Sequence, residues 1–585
     1  MNPLPVARYE PLEPRRLFAS SFANINVSAT PGNHAEGTIV VDPRNPSRLF
    51  AASNAPGVGL LAALSFNGGA TWTRRPMAGD AVGKTGLAAD GLAPACCDPS
   101  AAFDRFGNLY LTYAHDADHG VEIVRSTDGG ATFSSVASFA GDLDQPTVSA
   151  GPDTVWVTFK RGNSVAAAGA PTTGLGAAIT FGTPQAIPGS ARGNFGDIAV
   201  GAQGQVAVTY QQGAKIGVSV DPDGLGPAKF GRRIIATTTK VGGFDRIAAQ
   251  PDRGIDAEAA LAYDRRATPG VAGRLYLLYT DEQPDGSDNT DIMLRYSPDG
   301  GVTWSAPARV NSDAGLSSQF LPRMTLDDTT GDLYFAWLDT RNDLGAGGSD
   351  DTNRIPNDDA ETFVNRVRPS SEGLLIGDDV QVSQSASNAE TSDSSIELGD
   401  YIGVAFDGTN VLPLWADNSN STGDNPDGAG AAFDQYTARV PAASLPTSSR
   451  LAQPNLPGGY QAIFSTPKGA IPAGRADYRF RVTYSAPAGI DPASLSDEDF
   501  TVAGPNGVIG DVGTLRLESV RSLRKGNRVV GTYVLDAPLG RWTSADNGTY
   551  TITLRQSEVK DVNGEFQPMG EIGTFVVRSS IRPAT

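Results

Sequence analysis

Cysteine and histidine are scarce: the 585 residues include 2 cysteines and 3 histidines. The cysteines, Cys96 and Cys97, are adjacent, so they cannot make a disulfide framework. They can close a vicinal disulfide in an oxidising compartment or stand as two small buried hydrophobes, and the sequence leaves both open. Without a spaced Cys/His set, no structural zinc site is expected. No apolar run reaches the roughly 18 residues of a spanning helix, and the N-terminus lacks an apolar signal core. Basic runs are also missing. Lys+Arg total 46 against 65 Asp+Glu, a formal charge of −19, which repels phosphate backbones. Nucleic acid is therefore not an expected partner, whereas divalent cations or cationic ligands suit such a chain, as does simple solubility of an exported protein. Long helical periodicity is absent too.

Short runs alternating apolar and polar residues fill the chain instead, punctuated by 68 Gly and 40 Pro. This pattern predicts an all-β protein, and the length predicts two or more domains. One phrase occurs three times, as SFNGGATW (65–72), STDGGATF (126–133) and SPDGGVTW (297–304), with a worn copy at 219–230. Around it lies a four-strand unit, clearest at 98–139. Related units begin near 36, 144, 196, 258, 321 and 400. Four-stranded units spaced roughly 45 to 75 residues apart predict a β-propeller. We count seven blades, or six if the units near 144 and 196 form one irregular blade. The early segment 22–30 is expected to complete the last blade and close the ring, hiding its edges.

The phrase resembles the Asp-box, or BNR repeat, S-x-D-x-G-x-T-W/F. The residues that carry the likeness are Ser65, Asn67, Gly69 and Trp72, then Ser126, Asp128, Gly130 and Phe133, then Ser297, Asp299, Gly301 and Trp304. Glycine permits positive φ, the carboxylate can accept backbone N–H groups within a turn, and the aromatic ring packs between blades. The phrase therefore reads as a fastener with no part in chemistry. Turns between strands 1–2 and 3–4 share one face of such a ring, so function is expected on the opposite face near the axis.

Four inner strands end in Asp42, Asp104, Asp264 and Asp407. Six residues earlier stand Glu36, Asp98, Glu258 and Tyr401; Asp144 is placed with them, and Asp400 precedes Tyr401. These residues are expected around the mouth of a central channel. Long acidic loops at 281–291, 339–361 and 416–430, the last including Asp417, join the same face. Their Asp and Asn side chains suit Ca²⁺, and Asp350, Asp351, Asp358 and Asp359 are candidate ligands, although the loops serve equally as solvated acidic surface.

Asp-box propellers resemble sialidases. That resemblance implies a Tyr nucleophile, a Glu base, an Asp acid and three Arg that clamp a substrate carboxylate. Tyr401, Glu258 and Asp98 or Glu36 are candidates for the first three roles, and Arg246, Arg323 and Arg341 for the clamp. The early F/Y-R-I-P motif of sialidases is absent, and a ring of acids repels an anionic sugar. The chain is more similar to exported BNR-repeat proteins called sialidase-like for their propeller, over roughly 22–440.

At 12–18, LEPRRLF resembles the LEPR-x-LL motif of exported bacterial surface proteins, which implies an export segment at 1–21. After a Pro/Ser-rich linker (441–459), seven alternating strands in 460–585 suit a β-sandwich, and GIDPASLSDEDFTVAGPNG resembles bacterial surface Ig-like domains. The preferred reading is a secreted or cell-surface recognition protein that binds a glycan or protein on the acidic face. An exo-sialidase or other glycoside hydrolase at the same mouth, and a purely structural surface component, are the alternatives.

Overall fold

The computed structural model describes residues 22–577, apart from 56, 58, 80–89, 116–118, 283–288, 314–316, 347–351, 371–372, 393, 447–449, 452–460, 466–474, 487–488, 505–506, 511–514, 523–527, 556–557 and 565–569. The LEPR-like motif at 12–18 lies outside these residues, as do Asp350 and Asp351. Among the described residues the only helices are short 3₁₀ turns, and every sheet pairing is antiparallel. Among these residues no helix is long and apolar enough to cross a membrane.

Among the described residues, seven sheets of four or more strands and one two-stranded hairpin sheet precede residue 461. Each of the seven larger sheets starts from an inner strand: Thr38–Val41, Ala95–Phe103, Leu143–Ala150, Asn194–Val200, Ala260–Tyr263, Gln319–Leu326 and Gly403–Phe406. These inner strands neighbour one another in chain order, and the seventh returns to the first. Closure is made by the beginning of the described chain. Asn24–Asn26 pairs with Asp434–Ala438 as the outermost strand of the seventh sheet. The junction carries polar bonds as well: Asn26 and Ser28 both donate to the Asp434 carboxylate. An unpaired edge is thus removed where the ring would otherwise open.

The cores lie between neighbouring sheets. Phe50, Leu60 and Leu64 of the first pack with Leu109, Leu111 and Val124 of the second. Ile216 and Val218 of the fourth pack with Leu275 and Leu277 of the fifth. Second strands such as Leu49–Ala55 and Leu109–His115 are therefore buried at every position, while the outer strand Ser134–Phe139 is partly exposed.

The three repeated turns share one construction. The Ser126 hydroxyl donates to Asp128 Oδ1 at 2.7 Å and accepts from Gly130 N at 2.8 Å. Asp128 accepts from both N–H and hydroxyl of Thr132. Ser297, Asp299, Gly301 and Thr303 repeat this set. In the first copy Asn67 accepts from Thr71 N and donates to the Thr71 hydroxyl. Trp72 and Trp304 donate to the carbonyls of Gly69 and Gly301. Each turn also meets the preceding sheet. A Cβ on Gly130 (φ +100°) would lie 2.6 Å from Phe50, and one on Gly301 3.1 Å from Val220. In the worn copy, Asp221 accepts from Gly224 N and Asp223 from Ala228 N, while Phe230 packs edge-on against Trp156.

Residues 461–577 form two further four-stranded sheets. One has the order Gln461–Ser465, Asp477–Ser485, Arg528–Asp536, Leu515–Ser522; the other runs Gly507–Gly510, Phe500–Gly504, Gly548–Leu554, Gly570–Val577. Their apolar core, including Phe480, Tyr533, Trp542 and Tyr550, draws only on this segment. The sequence predicts seven of these strands; Gly507–Gly510, only four residues and half glycine, is the eighth.

Ser297→Ala removes the acceptor for Gly301 N and one donor to Asp299. We expect a loss of about 1–2 kcal/mol in chemical denaturation, with Asn67→Asp shifting stability in the opposite direction because its bonds become charge-assisted.

Candidate functional site

Left-handed backbone marks the heads of the inner strands. Glu36 (φ +57°), Asp98 (+59°), Gln145 (+46°), Glu258 (+41°) and Leu321 (+50°) all adopt it without being glycine, and Gly399 (+93°) precedes the seventh strand. Pairing registers slip beside several of them, at Cys97/Ser100, Asp144/Thr147 and Phe320/Arg323. Such bulges turn side chains away from the ladder, here toward the ring axis. In the third sheet the left-handed residue is Gln145. Its neighbour Asp144 forms an ion pair with Lys160 at 3.2 Å.

Two cavities meet at these positions. A rim cavity of 400 Å³ is lined by Glu36, Cys97, Asp98, Asp144, Arg253 and Asp400 among others. An axial cavity of 260 Å³ is lined by the inner strands, with Asp98, Asp197, Glu258, Arg323 and Tyr401 supplying its ionisable groups. Asp98 and Gln145 belong to both.

At the rim, Asn54 donates to Glu36 and accepts from Asp98 N at 3.0 Å, tying the two acids together. Asp400 N donates to Glu36 at 3.3 Å. Arg253 grips Asp400 with Nε and Nη2 and lies 4.9 Å from the centre of the half-exposed Phe244 ring. Arg253 and Phe244 come from a hairpin region, Asp245–Ile247 with Gln250–Ile255, inserted between the fourth and fifth sheets. Glu397 holds that hairpin by accepting from Asp252 N and Arg253 N. Cys96 and Cys97, joined in a disulfide, precede Asp98 directly. Of the two states open from sequence, the structure therefore has the bonded one.

Deeper in, Arg323 pairs with Glu258 at 3.0 Å, donates to the Ile402 carbonyl, and lies 5.1 Å from the centre of the Tyr401 ring. Asp256 accepts from Glu258 N, and Asp197 accepts from Leu261 N. The Tyr401 hydroxyl donates to the Pro99 carbonyl at 3.4 Å.

Burial raises the acids. The Asp98 carboxyl is pushed up to about 7 by burial and then by Asp144 and Asp400. Burial also lifts Glu258 to about 7 against the pull of Arg323. Glu36 stands well above the carboxylate range, through burial first and the charges of Asp98 and Asp400 next. Burial, with Asp98 and Glu36, pushes the Tyr401 phenol far up, so Tyr401 keeps its proton at neutral pH.

The predicted residues therefore divide. Glu36, Asp98, Asp144 and Asp400 meet at the rim, and Asp98, Glu258, Arg323 and Tyr401 meet on the axis. Arg246, Arg341 and Asp417 line neither cavity. Arg246 is exposed on the inserted hairpin. Arg341 is held by Asp339 at 2.6 Å and Asp379 at 2.9 Å and covers Phe363. Asp417 accepts from Trp415 Nε1 and Ser419 N at the end of its strand. Asp358 and Asp359 lie together, beside Asp343. Sequence reasoning did not find Arg253, Phe244, Asn54, Gln145 or Asp197. The unclaimed stretch between 239 and 257 was the available signal for the first two.

No family model matches the chain, and no curated protein matches it. Solved structures do. A protein of unknown function from Dyadobacter fermentans is 12% identical, with 72% of this chain and 98% of that one covered and a TM-score of 0.39. The intramolecular trans-sialidase of Ruminococcus gnavus, solved with oseltamivir carboxylate, is 15% identical, with 73% and 99% covered and a TM-score of 0.36. A leech intramolecular trans-sialidase complexed with 2,7-anhydro-Neu5Ac is 13% identical, with 73% and 71% covered and a TM-score of 0.36.

Two outcomes are expected. Arg323→Ala leaves the buried Glu258 without its ion-pair partner and costs about 3–5 kcal/mol in denaturant unfolding. The raised acids bind protons in the native state that the unfolded chain has released. Their contribution is fully present below about pH 4 and is lost as pH rises through about 7. Asp98→Asn removes one such group, so its melting temperature should exceed that of the wild type more at pH 8 than at pH 5.

Proposed function

We infer that the chain is an exported or cell-surface recognition protein. In this reading 1–21 direct export, 22–440 form a seven-bladed, sialidase-like β-propeller, 441–459 link, and 460–585 form an Ig-like β-sandwich. The propeller holds a glycan or a surface protein at its acidic mouth without turning it over.

One observation carries the reading. The two cavities are lined by the carboxylates Glu36, Asp98, Asp144, Asp197, Glu258 and Asp400 and by the cations Lys160, Arg253 and Arg323. Each cation is already paired, with Asp144, Asp400 and Glu258 respectively. Glu36, Asp98 and Asp197 remain as surplus acids. A sugar carboxylate entering here meets no unclaimed guanidinium and an excess of acidic groups, whereas hydroxyl-rich or cationic groups find acceptors. The raised phenol of Tyr401 also argues against a ready nucleophile.

A second reading has its own support. Asp98 and Glu258 both titrate near 7 beside one cavity, where a carboxyl group can act as acid and then as base. This favours a glycoside hydrolase working on an uncharged sugar over an exo-sialidase.

Fluorogenic glycosides separate the readings. We expect no turnover above the buffer blank for a sialoside or for neutral aryl glycosides. On a glycan and cationic-protein array we expect binding that weakens about tenfold in Asp98→Asn, the value of one hydrogen-bonded carboxyl contact. Sialoside turnover by the wild type that disappears in Tyr401→Phe would overturn the recognition reading. Neutral-glycoside turnover lost in Asp98→Asn would replace it with the hydrolase.

A further inference from the structure

Away from the channel, the sixth sheet buries three carboxylates in one place. Asp343 follows its second strand, and Asp358 and Asp359 stand at the head of its third, Asp359–Ser370. Their exposures are 3%, 1% and 1%, and one carboxylate oxygen from each lies within 4.8 Å of the others. Among the described residues no Lys, Arg or His forms an ion pair with any of them. Three buried like charges at this spacing repel strongly, and burial without a counterion costs several kcal/mol per group.

The neighbouring donors satisfy most of the oxygens. Asp343 accepts from the backbone N–H of Asp358 and of Asp359, at 2.7 and 3.0 Å. Asn388 Nδ2 donates to Asp358 Oδ2 and Asp359 Oδ1, and Asn353 Nδ2 adds a bond to Asp358 Oδ2. Asp358 Oδ1 is the exception: it is fully buried and has no hydrogen-bond partner. A buried carboxylate oxygen left without a donor, beside two further carboxylates, lacks a positive charge that no side chain there supplies.

We propose that Asp343, Asp358 and Asp359 bind one calcium ion. The donor set is wholly hard oxygen, which suits Ca²⁺ and disfavours zinc or copper, and water completes the coordination shell. The position gives the ion a structural task. Asn388 pairs with Asp359 across a short ladder and exchanges bonds with Asn418, which directly follows the second strand of the seventh sheet. The same connecting segment continues to Glu397 and Asp400, which hold the Arg253 hairpin at the rim. Calcium thus fastens one end of the segment whose other end shapes the mouth. The site does not depend on what the mouth binds.

The test uses the full chain stripped with EDTA and then titrated with CaCl₂. We expect one calcium per chain by isothermal titration and a rise in melting temperature of about 5 °C at saturating metal. Asp358→Asn and Asp343→Asn should each lose most of that rise. Both should also melt higher than the stripped wild type, because one unbalanced charge is gone. Near-UV circular dichroism confirms that the variants are folded. Absence of heat and of a melting shift up to 10 mM calcium, on the order of the weakest extracellular sites, overturns the proposal. So does a full shift retained in both variants, and an equal shift with magnesium overturns the choice of calcium.

Discussion

Burying more carboxylates than cations around the axis is the constraint from which the character of this molecule follows. A carboxylate removed from water must be paired, hydrogen-bonded or protonated. At the rim and along the axis three acids are paired, with Lys160, Arg253 and Arg323. The remaining ones depend on Asn54, on backbone N–H groups and on protonation. The ring architecture creates this condition. Inner strands from successive sheets converge, and left-handed residues at their heads bring Glu36 and Asp98 to the rim cavity and Asp98 and Glu258 to the axial one.

Stability for that arrangement comes from elsewhere. The repeated turns keep their bonds within themselves and press glycines and aromatic rings onto the sheet before them. The Asn24–Asn26 strand seals the seventh sheet. These features belong to the outer strands and their 3–4 turns, so the charged heads of the inner strands need not contribute to folding. Strained backbone and surplus charge can then persist where a ligand would meet them.

Much of this was legible in the sequence, for identifiable reasons. The turn phrase fixes strand 3–4 hairpins through glycine, serine and a short acid, so its three copies announce the sheets. The interval of six residues from Asp42, Asp104 and Asp264 finds Glu36, Asp98 and Glu258, because both ends of each inner strand have regular backbone demands. The third sheet was read one residue out of register. Its turn begins at Gly151 rather than at an Asp, and six residues before Gly151 stands Gln145, the left-handed residue beside Asp144. Arginines were harder to place. Arg323 lies within an inner strand and was identifiable, but Arg253 arrives on an inserted hairpin that belongs to none of the repeated units. Arg341 is drawn away by Asp339 and Asp379, a local pairing that residue type alone does not reveal.

The central claim is that surplus buried acid at the mouth is held protonated near neutral pH. Infrared difference spectroscopy of the carboxyl C=O stretch, comparing wild type with Asp98→Asn between pH 5 and 9, reads it directly. The account predicts a protonated-carboxyl band in the wild type that fades around pH 7 and is diminished in the variant. A wild type whose only carboxyl transition lies near pH 4, indistinguishable from Asp98→Asn, would contradict it.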